Sequence, residues 1–172
     1  MEHILDLEES ENYISAFEEY QKQFDANNDF EFWKHYYFFL WYIVVEDLPL
    51  KLESFVRENK IESTLKRVGN FGLQTFKDNP EALFILGYTI AIFPYYFGEY
   101  EEQLAKANQM LESAFNIQPN NIIYKLAYLG SKDENQELYK KICVEAAPEV
   151  IANFSGKGLL NSYFKQVLYR ID

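Results

Sequence analysis

Apolar residues recur at three- and four-residue spacing along almost the whole chain, which is the period of amphipathic helices. The first stripe consists of four aromatic residues: Tyr13, Phe17, Tyr20 and Phe24. Ser10 precedes this stripe as a candidate N-cap, and Asp29 precedes a segment at 30–45 that is apolar on nearly every face. That segment predicts the most deeply buried helix. The sequence contains no sustained alternation of apolar and polar residues, so we predict no strand.

Proline, asparagine and glycine mark the ends of the helices that follow. We expect a short helix ending near Glu58 and further helices at about 61–76, 81–93, 101–117, 120–129, 133–147, 149–154 and 159–171. Asn79 is expected to cap one of them, Gly130 to close another and Pro148 to stop a third. The connections are short and no linker divides them. The sequence therefore predicts one all-α domain over residues 1–172, an irregular stack of eight or nine antiparallel helices.

Residues 83–119 have the spacing of a helical hairpin with a narrow contact. The first helix of this pattern carries Leu83, Leu86, Gly87 and Ile90, and the second carries Ala107, Leu111, Ala114 and Pro119. Gly87 and Ala107 are small where the two helices would touch. The spacing resembles the tetratricopeptide repeat, with a connection about eight residues longer than the usual repeat has. Over about residues 60–121 this resemblance implies irregular helical hairpins with a groove that binds peptides or proteins.

Acidic residues are concentrated at the start of the chain, whose formal net charge is −11. Residues 1–31 hold ten acids and one base, Lys22, whereas the other 141 residues hold 17 acids and 15 bases. A negative surface repels nucleic acid and anionic membranes and attracts basic proteins. We therefore interpret five glutamates as candidate partner-binding residues: Glu8, Glu9, Glu11, Glu18 and Glu19. The alternative is that this acidity only keeps the chain in solution.

A second candidate site is aromatic. Tyr95, Tyr96, Phe97 and Tyr100 follow Pro94, where a turn between two helices is expected. Aromatic side chains at such a position either cover the end of the helix bundle or anchor a protein interface. Both interpretations stay open, and the four aromatic residues join the candidate partner-binding residues.

Residues able to carry catalysis or to hold a metal are few. The two histidines and the single cysteine lie far apart in the sequence and no metal-ligand motif occurs, so we predict no catalytic, metal or cofactor site. His35 is expected to be a partly buried, hydrogen-bonded side chain and Cys143 a small buried one. The single cysteine and the lack of a secretory signal favour the cytoplasm. The uncharged runs at 36–45 and 82–98 are too short or too interrupted to span a membrane.

Together these features favour a cytoplasmic binding protein over an enzyme. A nuclease must carry positive charge to hold the phosphates of its substrate, and an acidic protein is attracted to the same surface. In size and charge the chain resembles the small acidic immunity proteins of contact-dependent growth inhibition systems. The leading hypothesis is therefore an inhibitor that neutralises a basic, nuclease-type toxin by direct binding. The alternative is a tetratricopeptide-like adaptor that binds a peptide or a helix within a protein assembly.

Overall fold

Regular structure in the computed structural model, which describes residues 1–26, 29–132 and 136–170, is helical. The elements are α1 Glu2–Glu9, α2 Tyr13–Phe24, α3 Phe30–Val45, α4 Asp47–Leu50, α5 Glu53–Glu58, α6 Ile61–Thr75, α7 Pro80–Ile92, a 3₁₀ turn Pro94–Tyr96, α8 Tyr100–Ile117, α9 Ile122–Gly130, α10 Gln136–Asn153 and α11 Leu159–Leu168. No strand occurs in the described residues, which confirms the all-α prediction. Within those same residues, no helix is both long enough and apolar enough to cross a membrane.

The chain divides into two compact units. Unit 1 comprises Met1–Thr75 and Gly156–Ser162, and unit 2 comprises Phe76–Ser155 and Tyr163–Asp172. Each unit buries its own set of aromatic and aliphatic side chains. The single domain expected over the whole chain stays a prediction, as does the antiparallel order of the helix stack.

Unit 1 is built around α3, the helix that the sequence predicts to be the most buried. Asp29 caps this helix by accepting a hydrogen bond from the Phe32 amide at 3.1 Å. Eleven of the sixteen residues of α3 are buried. The helix comes close to α6 at Gly72, where an added Cβ would lie 2.0 Å from Trp33 Cζ2. The Trp33 indole also donates to the Val68 carbonyl at 3.0 Å, which fixes the register of the two helices.

Unit 2 contains the helical hairpin α7–α8. Asn79 caps α7 by accepting hydrogen bonds from two backbone amides at 2.9 and 3.2 Å, and Pro80 occupies the first position of the helix. The two helices touch at Gly87, where an added Cβ would lie 2.9 Å from the Ala107 carbonyl oxygen and 2.9 Å from Leu111 Cγ. The close contact expected from the small residues is therefore present. The resemblance to tetratricopeptide repeats stays a prediction.

The start of the chain differs from the sequence prediction. Ser10 does not cap α2; it follows α1, and its hydroxyl donates to two α1 carbonyls at 2.9 and 3.1 Å. Asn12 precedes α2 without a side-chain cap. Between the helices Glu11 has a φ of 58°, a left-handed conformation that turns the chain sharply. The hydrophobic pattern does not predict α1 because one of its two buried residues, Glu8, is charged.

Two further helix ends are predicted wrongly. Gly130 is the last residue of α9 rather than its cap, and Ser131 follows it with a φ of −82° and donates its hydroxyl to an α9 carbonyl at 2.8 Å. Pro148 lies inside α10 instead of ending a helix. The helix continues past the exposed proline because buried alanine and valine side chains on both sides of it keep that turn packed. The helix ends expected at Asp133 and Ile171 lie outside the described residues.

Candidate functional site

The acidic surface of unit 1 lies on α1, the following turn and α2. It consists of the exposed side chains of Glu2, Asp6, Glu9, Glu11 and Glu18. Glu2, Asp6 and Glu9 follow one another at four- and three-residue spacing, so they share one face of α1. Three of the five glutamates predicted to bind a partner therefore have exposed side chains: Glu9 at the end of α1, Glu11 in the turn and Glu18 on α2.

Lysines neutralise part of this acidity. Lys157 Nζ lies 2.7 Å from Asp6 Oδ1 and 4.0 Å from Glu2 Oε1. Glu19, another predicted partner-binding residue, is half-buried and lies 3.6 Å from Lys22. Within the acidic surface, three residues form no ion pair with any residue that the structure describes, and we call them the unpaired acidic residues: Glu9, Glu11 and Glu18.

Glu8 does not belong to the acidic surface, and the expectation that it is exposed is wrong. Only 2% of its surface is accessible. Its Oε1 accepts a hydrogen bond from the Tyr20 hydroxyl at 2.6 Å, and its Oε2 accepts one from the Leu159 amide at 2.7 Å. Burial raises the pKa of Glu8 to about 7, although both hydrogen bonds act to lower it. The signal in the sequence is spacing, because Glu8 follows the buried Ile4 by one helical turn.

The aromatic tip of unit 2 consists of Tyr95, Tyr96, Phe97 and Tyr100. It extends from the turn after α7, which the sequence predicts, to the first residue of α8. Tyr95 and Tyr100 are 56% and 49% exposed, whereas Tyr96 and Phe97 are half-buried. The rings of Tyr95 and Tyr96 pack with their centroids 4.6 Å apart. Two of the four rings are thus half-buried and the other two expose area that a partner could bury, so both interpretations stay open.

Unit 2 also contains a groove for which the sequence gives no specific signal. Its volume is about 480 Å³, within the size range of ligand pockets. The last turns of α7, α9 and α11 line it together with parts of α8 and α10. Its side-chain polar groups come from Tyr88, Asn108, Ser131 and Tyr139, and among the described residues no charged side chain lines it. Burial raises the pKa of Tyr88 above its usual value, so this hydroxyl stays neutral.

His35 and Cys143 are both buried, as the sequence predicts. The expected hydrogen bond of His35 is missing at Nδ1, which has no partner among the described residues. Burial lowers the pKa of His35 to about 4, so its ring is neutral near pH 7. Cys143 is a free thiol on the buried face of α10. In the described ranges, no three His, Cys, Asp or Glu side chains are placed to hold a metal ion.

No protein-family model matches the chain, and neither a curated protein nor a solved structure matches it significantly. Functional inference therefore rests on the acidic surface, the aromatic tip and the groove.

Proposed function

We propose that the protein is an acidic inhibitor that binds a basic, nuclease-type toxin in the cytoplasm and acts by binding rather than by catalysis. The observation that carries this proposal is the group of unpaired acidic residues on unit 1: Glu9, Glu11 and Glu18. Their exposed carboxylates attract a basic surface before contact, which raises the rate of association.

The chain's own Lys157 supports this interpretation. Its ammonium group is held by Asp6 at 2.7 Å and lies 4.0 Å from Glu2, on the face of α1 that also carries Glu9. A lysine or arginine of a partner can pair with the Glu9 carboxylate on the same face in the way that Lys157 pairs with Asp6. Because these side chains are exposed, each single ion pair adds little affinity, and the main effect is on encounter.

The backbone conformation of Glu11 allows its charge to be tested separately. Its φ of 58° lies in the left-handed region, which glycine and asparagine adopt more easily than glutamate. The turn therefore does not require a glutamate at this position, so the charge can be removed without loss of the turn. Glu11→Asn should leave the stability of unit 1 unchanged or slightly higher, while it slows association with the partner.

The main test compares two sets of three neutralising substitutions in unit 1. The first set changes the unpaired acidic residues: Glu9→Gln, Glu11→Gln and Glu18→Gln. The control set removes the same number of exposed charges from α5 and α6: Glu53→Gln, Glu58→Gln and Glu62→Gln. A basic partner is first purified at low salt with the wild-type chain and identified by mass spectrometry. Association is then followed by stopped flow at two ionic strengths.

The first set is expected to reduce the association rate about tenfold or more and to weaken its salt dependence. The control set should have a much smaller effect, because its charges lie on other helices. Equal effects of the two sets would mean that only net charge matters. An association rate that neither set changes would contradict the proposal and leave solubility as the role of the acidic residues.

A second candidate function, a tetratricopeptide-like adaptor, is favoured by the groove of unit 2. We propose an uncharged peptide segment as its occupant, because a charged segment would lose water without meeting an opposite charge among the lining residues. Ile92 and Tyr139 are 39% and 36% exposed there and provide apolar area that such a segment could cover.

The groove is tested by filling it. Asn108→Trp places an indole in the groove from α8, whereas Ala105→Trp puts the same side chain at an exposed α8 position outside it. Binding of labelled uncharged peptides is measured by fluorescence polarisation. Loss of binding in the first variant alone supports the adaptor, and equal binding by both variants excludes the groove as the binding site.

A further inference from the structure

Glu8 joins two parts of unit 1 that are 151 residues apart in the sequence. One carboxyl oxygen accepts a hydrogen bond from Tyr20 of α2 at 2.6 Å, and the other accepts one from the amide of Leu159 at 2.7 Å. Leu159 is the first residue of α11, so the carboxyl group lies at the end of this helix where negative charge is favourable. A single buried side chain therefore links α1, α2 and the start of α11.

The residue before α11 is a glycine that lets the backbone come close to Glu8. Gly158 has a φ of 89°, and a Cβ at this position would lie 2.7 Å from both Glu8 Oε2 and Leu5 Cδ2. The left-handed φ and the lack of space both favour glycine there. The preceding residue, Lys157, forms its 2.7 Å ion pair with Asp6 of α1. The docked segment, residues 156–162, is thus held on α1 by one buried carboxyl group and one exposed ion pair.

We propose that Glu8 is a pH-sensitive latch that holds the docked segment firmly when protonated and releases it more readily when ionised. In the protonated form one carboxyl oxygen accepts from the Leu159 amide and the acid hydroxyl donates to the Tyr20 oxygen. The Tyr20 hydrogen, which points at the carboxylate in the ionised form, then rotates away, so both contacts persist without a buried charge. In the ionised form the same two contacts must stabilise a carboxylate that is shielded from water.

The groups around Glu8 determine the pH range of the latch. They are Glu9 on α1, Tyr13 and Tyr20 on α2, Tyr36 of α3 through its stacking on Tyr20, and Lys157 with its partners Asp6 and Glu2. Burial is the largest influence and raises the pKa of Glu8, and Glu9 raises it further. Burial also raises the pKa of all three tyrosines, so they stay neutral near pH 7.

The direction of the pH effect follows from this shift. The pKa of Glu8 is about 7 in the folded chain and 4.5 when unperturbed. The protonated form therefore favours the closed latch, which is most stable below the unperturbed pKa. Its stability falls as the pH rises towards 7 and changes little above that value. The closed state is consequently tighter in mild acid than at neutral or alkaline pH.

Release of the docked segment also removes Lys157 from Asp6 and Glu2. The acidic surface then presents two more carboxylates without a lysine beside them. This consequence for partner binding rests on the proposed function, because it needs a basic partner. The latch itself does not depend on it.

Hydrogen exchange on the full chain tests the latch without any partner. Backbone amides in peptides covering 156–162 are followed by mass spectrometry at about pH 5.5 and about pH 8, with correction for intrinsic exchange and with α7 as the internal reference. In the wild type we expect the equilibrium constant for opening of the segment to increase by one to two orders of magnitude between the two pH values. The difference between the pKa of Glu8 in the closed state and its unperturbed value sets the upper limit of this increase.

Glu8→Gln is the decisive variant. Glutamine can accept from Leu159 and donate to the Tyr20 oxygen, so it imitates the protonated carboxyl group at every pH. Its docked segment should therefore open rarely at both pH values. A variant that retains the wild-type pH response, or a wild type without one, would overturn the proposal.

Two further variants keep the test informative if Glu8→Gln fails to fold. Tyr20→Phe removes a hydrogen bond that lowers the pKa of Glu8, so the midpoint of the opening transition should move to higher pH. Asp6→Asn removes only the exposed ion pair and should raise opening by a similar factor at both pH values. An unmoved midpoint in Tyr20→Phe would mean that the contact is merely structural and would contradict the latch.

Discussion

The two units differ in the polar side chains that they bury. Unit 1 buries Glu8 and His35 within and beside its aromatic core, and the pKa values of these groups, about 7 and about 4, lie on either side of mildly acidic pH. The buried polar side chain described in unit 2 is that of Thr89, which donates to two carbonyls of its own helix at 2.9 and 3.1 Å. The interior of unit 1 therefore contains two groups that titrate with opposite effects on stability, whereas the interior of unit 2 depends mainly on the fit between helices.

The surfaces of the two units differ in the same way. Unit 1 exposes the acidic surface, whose charges act over a distance and affect chiefly the rate of encounter. Unit 2 exposes the aromatic tip and an uncharged groove, which act only on contact and affect chiefly the rate of dissociation. Salt dependence is therefore the property that distinguishes binding through one unit from binding through the other.

Glycine substitutions probe the fit between helices in both units and should have the largest effects. Gly72→Ala in unit 1 should cost about 3 kcal/mol, because its Cβ would overlap the Trp33 indole, which is held in place by its hydrogen bond to Val68. Gly87→Ala in unit 2 should cost about 1–3 kcal/mol, because its Cβ would press on a backbone oxygen at 2.9 Å. Denaturant unfolding followed by circular dichroism measures both.

Gly130→Ala is the control for this series. Its Cβ would approach the flexible side chain of Tyr139 at 3.1 Å, and alanine favours the helix by about 1 kcal/mol over glycine, so stability should hardly change. A loss in Gly130→Ala as large as that in Gly72→Ala would mean that helix contacts do not determine the cost.

The two titrating groups of unit 1 should have opposite effects on stability. The contribution of Glu8 is fully present below pH 4.5 and is lost as the pH rises through about 7. The contribution of His35, whose folded pKa lies below its ordinary 6.5, is present above pH 6.5 and is lost as the pH falls through about 4. Each shift corresponds to about 3 kcal/mol, so the two nearly cancel in the wild type.

Single substitutions separate these contributions. Glu8→Gln should leave a stability that increases with pH between 4 and 6.5, and His35→Gln one that decreases between 4.5 and 7. Urea unfolding followed by tryptophan fluorescence reports on unit 1 alone, because both tryptophans, Trp33 and Trp41, lie in α3. Parallel slopes in the two variants would show that these groups do not control the pH response.

Local sequence patterns were sufficient for α3 and for the α7–α8 hairpin, and insufficient for the start of the chain. Asp29 and Asn79 precede apolar helices directly, so their caps can be predicted from neighbouring residues. The spacing of Glu8 from Ile4 places it on the buried face of α1, but its hydrogen-bond partners lie 12 and 151 residues away, and no local pattern identifies them. Proline normally ends a helix, so the sequence predicts an end at Pro148. The packing that carries α10 past this residue depends on tertiary contacts, which a local pattern does not contain.

For the candidate sites, too, local sequence patterns predict only part of what the structure has. The exposure of Glu9, Glu11 and Glu18 agrees with the prediction from local charge density. The groove requires side chains from five helices and could not be derived from any one of them. The partition of the aromatic tip into half-buried and exposed rings likewise depends on how the turn after Pro94 packs against α7 and α8.

Cys143→Ala tests whether unit 2 has any reactive group inside it. The buried thiol is a small core side chain, so its removal should cost about 1–2 kcal/mol through the cavity it leaves. Partner binding should be unchanged, and thermal unfolding measures the cost in stability. A well-folded variant that has lost all biological activity would instead point to chemistry at Cys143 and reopen the possibility of an enzyme.

Substitutions at the aromatic tip should have the smallest effect on the free energy of unfolding and the clearest effect on the rate of partner dissociation. Tyr95 and Tyr100 are about half exposed, so Tyr95→Ala and Tyr100→Ala should each change the free energy of unfolding by no more than about 0.5 kcal/mol. If a partner buries these rings, both variants should speed its dissociation without changing the salt dependence of association. Tyr169→Ala, at an exposed tyrosine that does not belong to the tip, is the matched control. Dissociation rates from surface plasmon resonance that are equal in all three variants would show that the tip only covers the hairpin end, and would leave the acidic surface of unit 1 and the groove of unit 2 as the candidate binding sites.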